Sequence, residues 1–228
     1  MSRGVAVVTG AGRGIGRATA LAFAGRGLDV ALLGRTKESL ELVAEACSAR
    51  GVSAQSFVCD VARSASVTDA ATRVVTRMGA PAVVVNNAGI VKRGLVHETS
   101  EEDFRAVLDA NLVGAFLVTR AFLPTMLAAR TGRVVMVSSI SATLGTARQA
   151  SYCASKWGLH GFMKSLAEEL RGTGLITLAV VPGSVDTDML VGSGFPAKMS
   201  AEDVAASIVY AGLDAPVAMN GSALEMFG

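Results

Sequence analysis

Charge of one sign and long apolar runs are both scarce in this sequence. Its 21 basic and 19 acidic residues leave a formal net charge of only +2. The basic residues are scattered, so nucleic acid is not an expected partner. Mean hydropathy is positive, yet no run of about 18 uncharged apolar residues occurs, and the chain enters a predicted strand almost at once. We therefore expect a cytoplasmic protein that does not span a membrane.

Cysteine and histidine are too few, and too widely spaced, for a disulfide framework or a metal site. The three cysteines, Cys47, Cys59 and Cys153, are odd in number and lack metal-ligand spacing, which favours reduced thiols. The two histidines accompany no cluster of ligands, and we interpret them as ordinary surface or helix residues. The sequence therefore predicts no bound metal.

Short β-branched segments alternate with longer segments of helical periodicity along the chain. This alternation predicts an α/β fold: a single-domain, Rossmann-type, doubly wound parallel sheet of seven strands with helices on both faces. With 228 residues, 51% of them hydrophobic, residues 1–228 can form one large core and hence one domain. Strands are predicted at residues 5–9, 29–33, 53–58, 82–86, 133–138, 175–181 and 222–226, and helices are predicted to begin near residues 14, 36, 67, 101, 151 and 201.

Three hydroxyl residues are expected to cap helices. Thr36, Ser100 and Ser200 each precede a helical segment that has acidic residues in its first turn. Their side-chain oxygens stand where the free amides of a helix start need an acceptor.

A glycine-rich turn follows the first strand. The strand at residues 5–8 leads into Thr9-Gly10-Ala11-Gly12-Arg13-Gly14-Ile15-Gly16, and an apolar helical pattern follows. Because Gly10, Gly14 and Gly16 lack a Cβ, the backbone can turn tightly and approach a diphosphate, whose charge the first amides of the helix would stabilise. The spacing differs from the commoner Gly-x-Gly-x-x-Gly, but its position between strand and helix indicates a dinucleotide site.

A tyrosine and a lysine lie four residues apart in Tyr152-Cys153-Ala154-Ser155-Lys156, and hence on one face of a helix. The cation should favour the phenolate and lower a tyrosine pKa that is normally about 10, which would make Tyr152 a proton donor near neutrality. Ser139, thirteen positions earlier, can hold a carbonyl oxygen beside it. Alone, such a pair is more typical of a helix with a half-buried tyrosine and a solvated lysine.

Six motifs, in their order along the chain, resemble those of the short-chain dehydrogenases/reductases. They are Thr9-Gly-x-x-x-Gly-x-Gly16, Asn86-Asn87-Ala88-Gly89, Asn111, Ser139, Tyr152-x-x-x-Lys156 and Pro182-Gly183-x-x-x-Thr187. The resemblance covers residues 3 to about 190. It implies an NADP(H)-dependent oxidoreductase that interconverts a ketone or aldehyde and an alcohol, with four catalytic residues: Asn111, Ser139, Tyr152 and Lys156.

The resemblance also implies a role for each motif. Ser139 would donate a hydrogen bond to the substrate oxygen, Tyr152 would protonate it, and Lys156 would lower the Tyr152 pKa and bind the nicotinamide ribose. Asn111 would hold a water that connects Lys156 to solvent. The implied cofactor-binding residues are Gly10, Arg13, Gly14, Ile15, Gly16, Arg35, Asp60, Val61, Asn87, Ala88, Gly89, Tyr152, Lys156, Pro182, Gly183, Val185 and Thr187.

The end of the second strand favours NADP(H) over NAD(H). In proteins of this plan, a carboxylate about twenty residues after the glycine turn binds the adenosine ribose and repels a 2′-phosphate. Gly34 occupies that position here, and Arg35 follows it. Arg13 and Arg35 could converge on a 2′-phosphate through charge-assisted hydrogen bonds. The alternative is that Arg35 is a solvated residue at a helix start.

The sequence identifies the substrate less closely. The segment at about 188–200 is short, apolar and hinged by glycine, and should form a lid over an open pocket. The central region resembles 3-oxoacyl-carrier-protein reductases, in which Arg130 matches an arginine that docks the acidic carrier protein. Thr173 replaces the second docking arginine, and residues 220–226 also differ from the usual C-terminal segment of those reductases. We therefore interpret the chain as a general carbonyl reductase. One alternative is a 3-oxoacyl-carrier-protein reductase, and a more remote one is a non-catalytic NADP(H)-binding redox sensor.

Apolar residues are abundant on the helices that begin near 101 and 151. They exceed what one sheet face can cover, so isologous pairing into a homodimer, or a homotetramer as in the family, is expected. The residues concerned include Phe116, Leu117, Phe122, Leu159, Phe162 and Leu166.

Overall fold

The apolar segments form one sheet in the computed structural model, which describes residues 4–228. Among these residues the strands are β1 (Val5–Thr9), β2 (Asp29–Gly34), β3 (Ala54–Val58), β4 (Pro81–Asn86), β5 (Gly132–Val137), β6 (Leu175–Pro182) and β7 (Ala223–Met226). Their order is β3-β2-β1-β4-β5-β6-β7, and every neighbouring pair is parallel. Each predicted strand agrees with the observed one to within one residue at either end. Buried parallel strands are nearly continuous apolar runs, which makes them easy to find.

Helices connect the strands within the described part of the chain. They are α1 (Gly14–Gly25), α2 (Lys37–Ser48), α3 (Ser64–Met78), α4 (Glu101–Leu108), α5 (Gly114–Ala129), α6 (Ala150–Glu169) and α7 (Ala201–Val209). The third begins three residues before its predicted start, because the Asp60 amide donates to Ser66 Oγ (3.0 Å) and turns the chain early. A π turn at Asp109–Val113 divides the helix predicted from residue 101 into α4 and α5.

Both faces of the sheet carry a hydrophobic core. Because successive strand residues point to opposite faces, Val8 packs with α1, α2 and α7, whereas Val7 packs with α3, α5 and α6. The described residues therefore form a single doubly wound α/β domain, as the sequence predicts.

Two of the three predicted helix caps are present. Ser100 accepts from the Asp103 amide (3.0 Å), and Ser200 and Asp203 form a reciprocal capping box. The prediction for Thr36 is wrong: its side chain caps nothing, and Ser39 Oγ donates to the Thr36 carbonyl instead (2.9 Å).

The stretch Glu101–Ala129 is long and apolar enough, by length and composition alone, to cross a membrane. Core helices pass the same test, and this one packs against α3 and α6. Its most apolar window is nevertheless only 39% buried. The exposed apolar side chains on it include Val113, Phe116 and Leu127.

The strand order places a crevice at the centre of the sheet. The chain moves from β1 to β3 in one direction and from β4 to β7 in the other, so β1 and β4 flank the point of reversal. Ligands bind in such sheets at the carboxyl ends of the strands beside this point. There, Thr9 Oγ1 donates to the Val85 carbonyl (3.1 Å) and accepts from the Asn87 amide (2.9 Å), which joins the two strands.

Candidate active site

The glycine turn and the start of α1 form a cradle at the carboxyl edge of the sheet. Gly10 and Gly14 have positive φ angles of 63° and 50°, and a Cβ on Gly16 would overlap the Gly10 carbonyl oxygen. Glycine is therefore required at these positions. Arg13 precedes α1 and its side chain does not cap the helix. It therefore leaves the first amides of the helix free to bind a ligand. Amides at a helix N-terminus favour an anion, and the cradle fits the diphosphate of a dinucleotide.

Asn87 and Ala88 hold the cradle against β4. The Asn87 side-chain amide donates to the Thr9 carbonyl (2.9 Å) and the Gly10 carbonyl (3.4 Å). A Cβ on Gly10 would lie 3.0 Å from Ala88 Cα, and one on Gly89 would lie 3.1 Å from Asn111 Oδ1. Small residues are thus needed for packing here, and their contact with the adenosine ribose stays a prediction.

The two arginines expected at the 2′-phosphate are both exposed, but only one is engaged. Arg13 Nη1 binds the carboxylate of Asp188, at the start of the lid (3.0 Å). Arg35 forms no ion pair with any residue from 4 to 228. Arg13 must therefore leave Asp188 before the two can converge as predicted. A Cβ on Gly34 would lie 3.2 Å from Leu40 Cδ2, so this position also accommodates glycine most easily.

Asp60 and Val61 follow β3 at the same edge of the sheet. The Cys59 amide donates to the Gly34 carbonyl (2.8 Å), which keeps the ends of β2 and β3 together. Asp60 Oδ1 accepts from the Ala62 amide (3.1 Å), and Val61 packs against the start of α5. Asp60 is therefore held beside the expected adenosine site, and its bond to the adenine stays a prediction.

The segment after β6 lies across the crevice from the glycine turn. Pro182 ends the strand, and the Gly183 amide donates to the Met226 carbonyl (2.9 Å). Val185 is buried and pairs with Met199, which ties the two ends of the lid together. A Cβ on Gly14 would lie 3.3 Å from Thr187 Cγ2. Thr187 therefore adjoins the cradle, where a phosphate contact was predicted, while Ile15 packs on the core beneath.

Ser139, Tyr152 and Lys156 come together beyond the end of β5. All three are buried, with 8%, 9% and 4% of their surfaces exposed. Ser139 Oγ accepts from the Ser141 amide (3.2 Å), which leaves its own proton to donate. Lys156 Nζ donates to the Val137 carbonyl (2.9 Å) and lies 5.5 Å from the centre of the Tyr152 ring. A carbonyl oxygen between Ser139 and Tyr152 would meet two hydroxyl donors.

Burial dominates the acid–base properties of this group. It raises the pKa of Tyr152, while a hydrogen bond with Ser139 and the charge of Arg93 act in the opposite direction. Burial also lowers the pKa of Lys156 to about 8. The predicted lowering of the Tyr152 pKa is therefore wrong, because burial outweighs the groups that favour the phenolate. The phenol is protonated at neutral pH, as a proton donor must be.

Asn111 lies in the π turn between α4 and α5, and its side chain is fully engaged. Its Oδ1 accepts from the Ile90 amide (2.8 Å), and its Nδ2 donates to the Ile90 carbonyl (3.0 Å) and to Ser155 Oγ (3.0 Å). Ser155 in turn donates to the Tyr152 carbonyl (2.7 Å). The side chain thus fastens the loop after β4 to α6. The water predicted beside Asn111 would have to be bound by backbone groups of Asn111.

Arg93 belongs to the same site, although the sequence analysis did not single it out. It lies in the loop after β4 and donates to the Met189 carbonyl (2.7 Å) and the Val191 carbonyl (3.2 Å) of the lid. The available signal was its place: a basic residue six positions after Asn87, at the carboxyl edge of a central strand.

Comparisons with known proteins agree with this geometry. A family described as short chain dehydrogenase matches residues 4–194, which include every predicted site residue. A 3-oxoacyl-[acyl-carrier-protein] reductase of Synechocystis sp. is 38% identical over 186 residues, 81% of this chain and 75% of that protein. Proteins of the same name from Pseudomonas aeruginosa and Staphylococcus aureus are 37% and 39% identical over 185 residues, again 81% of this chain and 75% of theirs.

Proposed function

Since the chain belongs to the short-chain dehydrogenase family, and is thereby an oxidoreductase, we propose that it uses NADPH to reduce the 3-oxo group of an acyl thioester. The observation that carries the chemistry is the buried group of Ser139, Tyr152 and Lys156 beside the dinucleotide cradle. The similar proteins named 3-oxoacyl-[acyl-carrier-protein] reductase favour a thioester over the general carbonyl substrate that the sequence analysis preferred.

In this mechanism the substrate oxygen receives two hydrogen bonds. Ser139 donates the first, and Tyr152 donates the second and then gives up its proton as the carbonyl becomes an alcohol. The raised pKa of Tyr152 makes it a weaker acid, so the transfer is driven by the strong basicity of the developing alkoxide. Lys156, positioned by the Val137 carbonyl, supplies positive charge beside the resulting phenolate, which regains a proton from solvent. When bound, NADPH supplies the hydride.

The cradle of Gly10, Gly14 and Gly16 would hold the cofactor diphosphate. Arg35, and Arg13 once it leaves Asp188, would bind the 2′-phosphate, and Lys156 would bind the nicotinamide ribose. The absence of an acid at Gly34 supports NADP(H) over NAD(H), since no carboxylate there repels a 2′-phosphate.

A general carbonyl reductase is the second candidate, because Thr173 replaces the second docking arginine. Arg130 precedes β5 and so lies at the amino end of the sheet, whereas Ser139 lies beyond the carboxyl end. The six residues of β5 separate the two ends by about 20 Å. Arg130 therefore cannot dock a carrier protein directly over the site of its own chain.

A comparison of three substrates tests the proposal. Each carries the same 3-oxo chain, in turn on acyl carrier protein, on a small thiol, and as a ketone without a thioester. We expect NADPH oxidation with both thioesters, with the highest kcat/KM, by at least about tenfold over the ketone, for the carrier protein. Equal values for all three would favour the second candidate. NADPH binding without oxidation of any substrate would leave the non-catalytic alternative.

The thiols support a proposed location in the cytoplasm. All three cysteines are free, and Cys47 and Cys59 are buried. Burial raises the pKa of both thiols, that of Cys59 to about 11, so neither is a reactive thiolate. Free structural thiols are typical of proteins kept in a reducing compartment.

We further propose that α5 and α6 pair with the same helices of a second copy. Phe116 and Trp157 are 42% and 56% exposed on these helices, and Phe116 packs edge-on against Phe162 at 6.1 Å. Light scattering at micromolar concentration should give twice or four times 23.3 kDa. Phe116→Glu should yield monomers. Leu42→Glu is the matched control, because Leu42 is 68% exposed on α2, and it should leave the assembly unchanged. A wild-type monomer would contradict the proposal.

A further inference from the structure

The guanidinium of Arg93 fastens the lid to the loop after β4. Its Nη2 donates to the Met189 carbonyl at 2.7 Å and its Nη1 to the Val191 carbonyl at 3.2 Å. Both acceptors belong to the 3₁₀ turn Asp188–Leu190 or the residue after it. The lid is also joined at its base by the pairing of Val185 with Met199. Arg93, together with the ion pair of Arg13 and Asp188, therefore positions the lid backbone above that base.

The loop that carries Arg93 is anchored on both sides of it. Ile90 exchanges two hydrogen bonds with the side chain of Asn111. The Gly94 amide donates to the carbonyl of Arg148 (3.0 Å), four residues before Tyr152. Arg148 has a positive φ of 64°, so its carbonyl is directed by an uncommon backbone conformation. The loop is thus tied to the two elements that carry Asn111 and Tyr152.

The charge of Arg93 is not neutralised by a carboxylate. Within residues 4–228 it forms no ion pair, whereas the adjacent Lys92 binds Asp103 at 3.2 Å. Its Nε is buried and has no hydrogen-bond partner in that part of the chain. The two lid carbonyls that Arg93 binds are neutral, so they compensate the desolvation of its charge only in part.

The ties from Gly94 to the Arg148 carbonyl and from Asn111 to Ser155 hold the loop of Arg93 against the start of α6, where Tyr152 lies. Burial and the Cys153 thiol raise the pKa of Tyr152, and Ser139 and Arg93 lower it. The Lys156 ammonium lies on the face of the ring, 5.5 Å from its centre. Arg93 approaches from a different element, the loop after β4, which it joins to the lid.

We propose that Arg93 is a positioning residue that holds the lid against the loop after β4 and supplies a cation for the phenolate that Tyr152 becomes when it gives its proton to the substrate oxygen. The inference rests on the proposed function, because it assigns this proton to Tyr152. In the reverse reaction the same cation would stabilise the phenolate that accepts the alcohol proton.

The sequence allows Tyr152 to be titrated alone. It contains two tyrosines, so in a Tyr210→Phe background the near-ultraviolet absorbance of tyrosinate reports only Tyr152. Arg93→Met should move this titration to higher pH, because a neutral side chain no longer favours the phenolate. Lys92→Met removes a charge from the same loop and should leave the titration unchanged. Arg93→Lys keeps the charge and should retain most of the wild-type titration.

The lid gives a second readout, by hydrogen exchange at the amides of Leu190, Val191 and Ser193. Arg93→Met and Arg93→Lys should both speed this exchange by at least about tenfold, because neither has the planar fork that binds two carbonyls. Lys92→Met should not. An unchanged titration or an unchanged exchange rate in Arg93→Met, or equal effects of Lys92→Met, would overturn the inference.

Neither readout uses substrate or cofactor, so failure here is distinct from failure of the proposed function, which would appear as an absence of NADPH oxidation. For an active enzyme, Arg93→Met should also shift the pH profile of alcohol oxidation toward higher pH, because that direction requires the phenolate. A lid contact without an electrostatic role would leave this profile in place and overturn the assignment.

Discussion

Tyr152→Phe is expected to bind NADPH about as tightly as the wild-type protein while turning over at least about a hundredfold more slowly, the scale for losing a general acid. The substitution keeps the buried ring and removes only the hydroxyl that donates to the substrate oxygen. Cofactor binding followed by fluorescence and turnover followed by NADPH absorbance separate the two effects.

Two further variants sharpen this expectation. Tyr210→Phe makes the same chemical change at a tyrosine that is 40% exposed and outside the site, so its turnover should match the wild type. Lys156→Ala should weaken both NADPH binding and turnover, because Lys156 is proposed to bind the nicotinamide ribose and to supply positive charge beside the phenolate. Near-normal turnover in Tyr152→Phe would reject Tyr152 as the proton donor.

NADPH should be preferred over NADH by at least about thirtyfold in kcat/KM if Arg13 and Arg35 both bind the 2′-phosphate. Each charge-assisted hydrogen bond contributes roughly 1.5 to 3 kcal/mol, and two together reach or exceed that ratio. Arg13 loses an exposed ion pair with Asp188 in the exchange, and such pairs contribute at most about 1 kcal/mol. The net effect therefore still favours NADPH.

Substitutions at the end of β2 test this preference. Arg35→Ala should remove much of it, and Gly34→Asp combined with Arg35→Ala should bring the ratio near or below unity, since a carboxylate repels the phosphate and binds the ribose. Gly34→Ala is the matched control, because any side chain at this position presses on Leu40. Wild-type protein that used NADH as well as NADPH would contradict the assignment and mean that Arg35 points to solvent.

The features that sequence could predict depend on short-range pattern. Runs such as residues 5–8 are apolar throughout because a parallel strand is buried on both faces, and the strand is therefore found where the run is. Gly10 and Gly16 are required by local backbone geometry, and Tyr152 and Lys156 meet because helical periodicity places them on one face. Each of these inferences uses neighbours within a few residues.

The features that sequence did not reveal depend on contacts between distant segments. Arg93 and Val191 are 98 residues apart, and Arg13 and Asp188 are 175 apart, so no local spacing indicates either bond. The direction of the Tyr152 pKa shift depends on how deeply the folded protein buries the phenol, which overrides the nearby cation. Thr36 illustrates a local failure: Ser39 engages the carbonyl of the residue expected to be the cap.

The ion pair between Arg13 and Asp188 links cofactor affinity to lid freedom. One guanidinium cannot serve the lid carboxylate and a cofactor phosphate at once, so the two anions compete for it. Thermodynamic linkage makes the competition reciprocal: whatever factor the lid contact takes from cofactor affinity, the bound cofactor takes from the lid contact. The binary complex would accordingly hold its lid through Arg93 and the pairing of Val185 with Met199, and substrate would enter most readily after the cofactor.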